Sequence, residues 1–247
     1  LAILIASAAL GAPALADEFP SRPITWVVPF APGGITDTTS RIVAEEMSKS
    51  LGQSVLIDNR GGGGGTVGTE QVARAKPDGY TISFATSATH ATNPALYGKV
   101  PFDPIKDFVP ITLIAHVPNV LVITPERAAQ LKVASARDLI DYLRSHPGQL
   151  NYASGGNGSA GHMAGELLKS QARVSAVHIP YAGAGPAQLG LLAGQTDFMF
   201  DNLASATAQI KAGKLKALAV TTPQRAASLP DVPTMAESGL PGFDVST

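Results

Sequence analysis

Three glycine-bearing stretches hold the residues best suited to chemistry. They are Pro29-Phe30-Ala31-Pro32-Gly33-Gly34-Ile35-Thr36-Asp37, Ser154-Gly155-Gly156-Asn157-Gly158-Ser159-Ala160-Gly161-His162 and Tyr181-Ala182-Gly183-Ala184-Gly185-Pro186. Each stands where a strand pattern gives way to a helix pattern. Glycine lets bare backbone N–H groups come close to a ligand, and a helix start adds unpaired donors and a partial positive charge. Such a start binds an anion without any cationic side chain. One turn of this kind alone reads as an ordinary tight connection. Three of them, spread over both halves of the chain, predict a cleft for a small anion.

Other chemistries find less support. Gly63-Gly64-Gly65-Thr66-Val67-Gly68 formally matches the dinucleotide fingerprint, but no acidic residue lies about 20 positions on to hold a ribose, and a five-glycine run meets the pattern by chance. Gly213-Lys214 is followed by Leu215, so no Walker A motif exists. Asn157-Gly158-Ser159-Ala160-Gly161 lacks the first glycine of a nucleophile elbow. The five histidines (His90, His116, His146, His162, His178) show no metal-ligand spacing. Cysteine is absent, which removes thiol catalysis, disulfides and cysteine metal sites together. No cofactor and no metal are expected. His162, in a first helical turn, reads as a polar wall or a cap rather than a base.

The elements that must position these turns follow a regular order. Ile24 to Phe30 reads as a buried strand, and Ile35, Ile42, Val43, Met47 and Leu51 recur at helical spacing up to Gly52. Val55 to Ile57 is a second strand, Thr66 to Ala75 a helix, and Tyr80 to Ala85 a third strand after the turn Pro77-Asp78-Gly79. This β-α-β-α-β order predicts a parallel sheet with crossover helices. Apolar residues between Asp107 and Pro125 have no helical period and read as extended chain crossing between lobes. A second series then runs helix Ala136 to Arg144, strand Leu150 to Ala153, helix Ser159 to Lys169 and strand Ala176 to Ile179. Helix Ala184 to Ala193, strand Asp197 to Phe200, helix Ala204 to Ala212 and strand Leu215 to Val220 complete it.

The bulk properties set the class. A net charge of −1, with 15% charged residues and no run of like charge, provides no field for nucleic acid or anionic membrane. The chain of 247 residues is long enough to bury a core without disulfides. Leu1 to Leu10 is almost wholly apolar and leads to Ala14-Leu15-Ala16 before Asp17, the layout of a secretory signal peptide cut after Ala16. Export to the periplasm is the expectation.

The order of motifs resembles the substrate-binding proteins of tripartite tricarboxylate transporters, the Bordetella uptake gene family. Pro20-Ser21-Arg22-Pro23-Ile24, Val28 to Asp37, Asp58-Asn59-Arg60 and Pro77-Asp78-Gly79-Tyr80 carry the first part of the resemblance. Tyr152 to Ser159, His162 to Glu166, Pro180-Tyr181, Asp197 to Asp201 and Leu229 to Thr234 carry the rest. It implies an α/β fold of the two-lobed periplasmic binding protein class, type II-like, each lobe a β-sheet flanked by helices and joined by hinge strands. The division expected is a signal segment 1–16, a first lobe 17–122, a second lobe 123–222, and a return toward the first lobe in 223–247.

The resemblance further implies a receptor that closes on a di- or tricarboxylate, an acidic amino acid or an aromatic acid and presents it to membrane permease subunits. A monomer is expected, with no nucleic-acid partner. The contact residues expected are Ala31, Gly33, Gly34, Thr36, Asp37, Ser87, His90, Ser154, Gly155, Asn157, Gly158, Ser159, His162, Tyr181, Ala184 and Asp201. Asp201 is read either as a cleft acid holding an ammonium or hydroxyl, or as a cap for the next helix. The stretches Phe30 to Asp37, Thr86 to His90, Ser154 to His162 and Pro180 to Pro186 contain no Lys or Arg, so backbone is expected to hold the acid. The competing idea is that Arg41 or Arg60 reaches back as a fork-shaped clamp. Two other classes stay open: an α/β enzyme acting on a small acid, and a ligand sensor for a signalling partner.

Overall fold

The computed structural model describes residues 19–246, so the expected signal segment and its cleavage site lie outside the described residues. Two sheets organise the chain. The first is parallel, in the order β2-β1-β3, from β1 (Ile24–Val28), β2 (Val55–Asn59) and β3 (Thr81–Ser83). Crossovers run through α1 (Ile35–Leu51) and α2 (Thr66–Ala73). Trp26, Val27 and Val28 are all buried, so β1 shows the unbroken apolar run of a strand covered on both faces rather than an alternation. Ala44, Val43, Met47 and Leu51 of α1 close one side of this small core against Ile24, Trp26, Val28 and Val55.

The second sheet has the order β6-β5-β7-β4-β8, from β4 (Asn119–Ile123), β5 (Asn151–Ser154), β6 (Val177–Pro180), β7 (Phe198–Asn202) and β8 (Lys216–Val220). β5 is parallel to β6 and β7, whereas β4 runs antiparallel between β7 and β8. The period of two along each strand divides the core cleanly. Leu121, Ile123, Tyr152, Phe198 and Phe200 face α5 (Ala136–Ser145) and α6 (Ala160–Ala172). Val120, Val122, Ala153 and Met199 face α7 (Ala184–Leu192) and α8 (Leu203–Lys211). Leu139, Leu143 and Leu168 are fully buried on the first face, and truncating one of them to alanine costs about 2–5 kcal/mol. The order of helix and strand expected from Ala136 to Val220 is present. Ser135 fixes its first helix with a capping box, accepting from the Asp138 N–H while Asp138 reaches back to the Ser135 N–H.

Four differences from the sequence reading matter. A helix, α4 (Pro125–Leu131), begins where extended chain was expected to end; Thr124 caps it by accepting from the Arg127 N–H, and Pro125 suits its first position. A π-type helical turn, Ala88–Thr92, runs into a short helix, α3 (Asn93–Tyr97), where none was expected. The expected boundary between 122 and 123 falls inside β4, all of which belongs to the second sheet. Finally, the described residues after Val220, expected to turn toward the first lobe, pack on the second sheet. Met235, Leu240 and Phe243 are buried in the core of the second, and Thr234 bridges to Val220 in parallel. Periodicity could not show this, because a segment of turns carries its anchors at irregular spacing.

Candidate functional site

The carboxyl ends of β1, β3, β5, β6 and β7 face one gap between the sheets, the place where open α/β sheets present their turns to a ligand. Because β4 runs the opposite way, it brings its first residue, Asn119, to the same gap. The cleft is lined by residues of both halves, among them Phe30, Thr36, Gly155 and Asp201.

Two helices start at this gap without a side-chain cap. α1 follows Gly34 and α7 follows Gly183. Their first N–H groups have no carbonyl one turn back to bond, so they are donors for a ligand. α6 starts differently: Ser159 caps it by accepting from the His162 N–H at 3.2 Å. An accepting hydroxyl still has its own proton to donate.

Six of the expected contact residues line the cleft: Gly34, Thr36, Gly155, Ser159, Ala184 and Asp201. The others support the wall instead of forming it. Gly33 donates its N–H to Asp37 Oδ2 at 3.0 Å, and Asp37 Oδ1 lies 2.9 Å from Arg41 Nη2. Asp37 thus clasps the first turn from inside. Burial would raise its pKa, but Arg41, the Gly33 N–H and Asn59 hold it below the ordinary carboxylate value. His90 turns away, its Nδ1 bonded to Thr89 Oγ1 at 2.8 Å and its ring against Phe108, and burial lowers its pKa. Tyr181 donates its hydroxyl to Gln195 Oε1, away from the gap. Ser87 and Gly158 border a second hollow with Thr92 and Met163.

Ser154 is fully buried and pins the second turn. Its Oγ lies 2.6 Å from His178 Nε2 and 3.1 Å from both the N–H and the carbonyl of Gly156. His162 serves the same turn: its Nδ1 accepts from the Gly158 N–H, and its ring stacks on His178 with centroids 4.1 Å apart. Beneath them Glu166 accepts from the Tyr152 hydroxyl and from Lys169. Burial raises the Tyr152 phenol and pushes His178 down to about 4, helped by the neighbouring His162.

The remaining expected residues bring the two sheets together. Ala31 donates its N–H to the Ala182 carbonyl at 3.0 Å, joining the first turn to the third. Gly185 passes so near Pro32 that a Cβ there would come within 2.7 Å of its carbonyl oxygen. A Cβ at Gly158 would overlap Asn93 Oδ1, and one at Gly64 would overlap the Asn157 carbonyl. Part of the glycine content read as a ligand cradle therefore forms the seam between the halves.

Asp201 lines the gap, yet its oxygens are taken. Oδ2 accepts from Gln188 Nε2 at 2.7 Å, and Oδ1 from the Asn202 N–H at 2.8 Å and Ser205 Oγ at 3.1 Å. It bonds the first turn of α8, but the N-cap position is Asn202. Burial raises its pKa to about 6 against the pull of these donors.

No Lys or Arg lines the cleft among the described residues. Arg41 is spent on Asp37 and on Asn59 Oδ1, and Arg60 on Asp58 at 2.9 Å. In this structure neither guanidinium of the expected fork-shaped clamp lines the cleft. Sequence reasoning missed Asn119, Met199, Phe200 and Asn202 in the wall. The last three end a strand whose other member, Asp201, was named; Asn119 offered no signal beyond one polar residue before a run of four aliphatics.

A family profile described as tripartite tricarboxylate transporter family receptor, TctC, matches residues 39–247. The chain is also similar to three solved structures. The periplasmic binding protein BugD matches with a TM-score of 0.87 at 41% identity, covering 92% of this chain and 75% of that one. Rpa4515 of R. palustris, solved with adipate, gives 0.88 at 40% identity over 93% and 75% of the two chains. MatC (Rpa3494) from Rhodopseudomonas palustris, with bound malate, gives 0.86 at 39% over 92% and 76%.

Proposed function

The chain belongs to the tripartite tricarboxylate transporter family of receptors, whose members are periplasmic solute-binding proteins, and from that premise we propose that it captures one small dicarboxylate between its two sheets. The observation that carries the reading is the meeting of two uncapped helix starts, α1 and α7, in a cleft whose described wall holds no Lys or Arg. One start comes from each sheet, so two carboxylates of one molecule, or two sides of a single carboxylate, draw the halves together. Adipate and malate, bound by two similar proteins, are acids of this class. Each charge-assisted N–H bond contributes about 1.5–3 kcal/mol, so a few per carboxylate reach the ~8 kcal/mol of micromolar binding.

In this reading the acid is held by backbone and by the Ser159 and Thr36 hydroxyls, without cofactor or metal. The protein works as a monomer in the periplasm, hands its cargo to permease subunits and leaves it chemically unchanged. A thermal-shift screen of a carboxylate library, followed by calorimetry, tests it. An acid at 100 times its Kd adds about 2.7 kcal/mol of stability, and the acid recovered afterwards should be intact. No shift with any acid, or conversion of the acid to a product, would overturn the proposal.

A further inference from the structure

Asn119 is 1% exposed and stands in the wall of the cleft. Its backbone is fixed to β8: the N–H donates to Thr221 Oγ1 at 3.1 Å, and the carbonyl accepts from the Thr221 N–H at 2.9 Å. The neighbouring corner is equally held, since the Leu203 N–H donates to the Pro118 carbonyl at 2.8 Å. One end of the side chain is also engaged, Oδ1 accepting from Asn202 Nδ2 at 3.2 Å. The other end, Nδ2, is buried and has no partner among the described residues. Buried amide donors are nearly always bonded, so an orphan in a ligand cleft marks the place of a missing acceptor.

The acceptor's chemistry follows from the neighbours. An amide N–H repels an ammonium and takes an oxygen. Asp201, the only carboxylate in this wall, pairs with Val120 on the opposite face of the sheet, and its oxygens are occupied by Gln188, Ser205 and the Asn202 N–H. Held by three donors on the other side of the sheet, it is not positioned against the atom that Asn119 Nδ2 would meet. We propose that Asn119 is a specificity-determining residue whose Nδ2 donates to a second oxygen-bearing group of the ligand, so that the site selects dicarboxylates over the matching monocarboxylates. The inference rests on the receptor reading and adds to it the residue that reads the second acid group.

The test is calorimetry with succinate, glutarate and adipate against butyrate, valerate and hexanoate, on the wild-type protein and on Asn119→Ala and Asn119→Asp. The wild type should favour dicarboxylates. Asn119→Ala should lower their affinity at least tenfold and Asn119→Asp at least a hundredfold, while affinities for monocarboxylates stay within a factor of three. A variant that fails to fold is replaced by a measurement on the wild type: the assigned Asn119 side-chain amide resonances must shift on saturation with a dicarboxylate. Binding with no preference for the second carboxylate, an unshifted amide, or folded variants with unchanged ranking would each overturn this proposal alone. A wild-type protein that binds none of the acids would overturn the receptor reading and this proposal with it.

Discussion

The Gly158 N–H donates to Nδ1 of His162 at 3.0 Å, so the turn that meets the other sheet is held by a titratable acceptor. Protonating that nitrogen would set a hydrogen against a hydrogen. His162 lies against His178, with Glu166, Lys169 and Tyr152 around the pair. Burial is the first cause lowering both rings, to about 4 for His178. Their folded pKa values lie below the unfolded value of about 6.5, so the stability they contribute is full above that pH and is lost as pH falls toward 4. We expect unfolding stability to be flat between pH 8 and 7 and to fall as pH drops below about 6.5. Urea unfolding of Asp201→Asn isolates the histidines from the carboxylate that titrates beside them. Constant stability of that variant from pH 7 down to pH 4 would refute the burial assigned to the pair.

Asp201 has the opposite sign. Its folded pKa, about 6, stands above the unfolded one, so its contribution is complete below about 3.8 and is lost as pH rises through 6. An asparagine does not titrate. The stability of Asp201→Asn relative to wild type should therefore improve by roughly 2 kcal/mol from pH 4 to pH 8. Thermal or urea unfolding at several pH values reads this directly; a difference independent of pH would mean that the carboxylate is solvated.

Gly158→Ala should break the seam. Position 158 has φ +77° and faces Asn93 Oδ1, so an alanine there both strains the backbone, by about 1–2 kcal/mol, and blocks approach of the halves. Affinity should drop a hundredfold or more. Gly194→Ala is the control, because its φ is +71° but nothing lies near its Cβ. That variant should lose similar stability and keep its affinity. Equal affinities in the two variants would remove the seam from the mechanism.

Arg41→Ala should weaken binding by less than tenfold. Arg41 supports the first turn through Asp37 and Asn59 and does not line the cleft. Complete loss of binding in a folded Arg41→Ala would restore the guanidinium clamp as the holder of the carboxylate.

Most of the fold was legible because its signals are local. Strand and helix periods, and glycine after α1 and α7, mark the elements without knowledge of their neighbours. The turns that build the cleft were legible for the same reason. Side-chain direction was not. Ser154, His162 and Tyr181 sit in the right turns, but each bonds a residue of its own half, and only the three-dimensional packing decides that. Asn119 lay beyond reach on other grounds. Nothing local says that β4 is inserted antiparallel, and with parallel pairing its first residue would stand at the far edge of the sheet.

The bond from the Ala31 N–H to the Ala182 carbonyl, with bare glycine contacts around it, means that the two halves meet largely through main chain. Peptide groups are the same whichever acid fills the cleft, so in the proposed receptor the outer shape on closure would not change with the cargo. A partner that reads that shape would meet the same face with every acid.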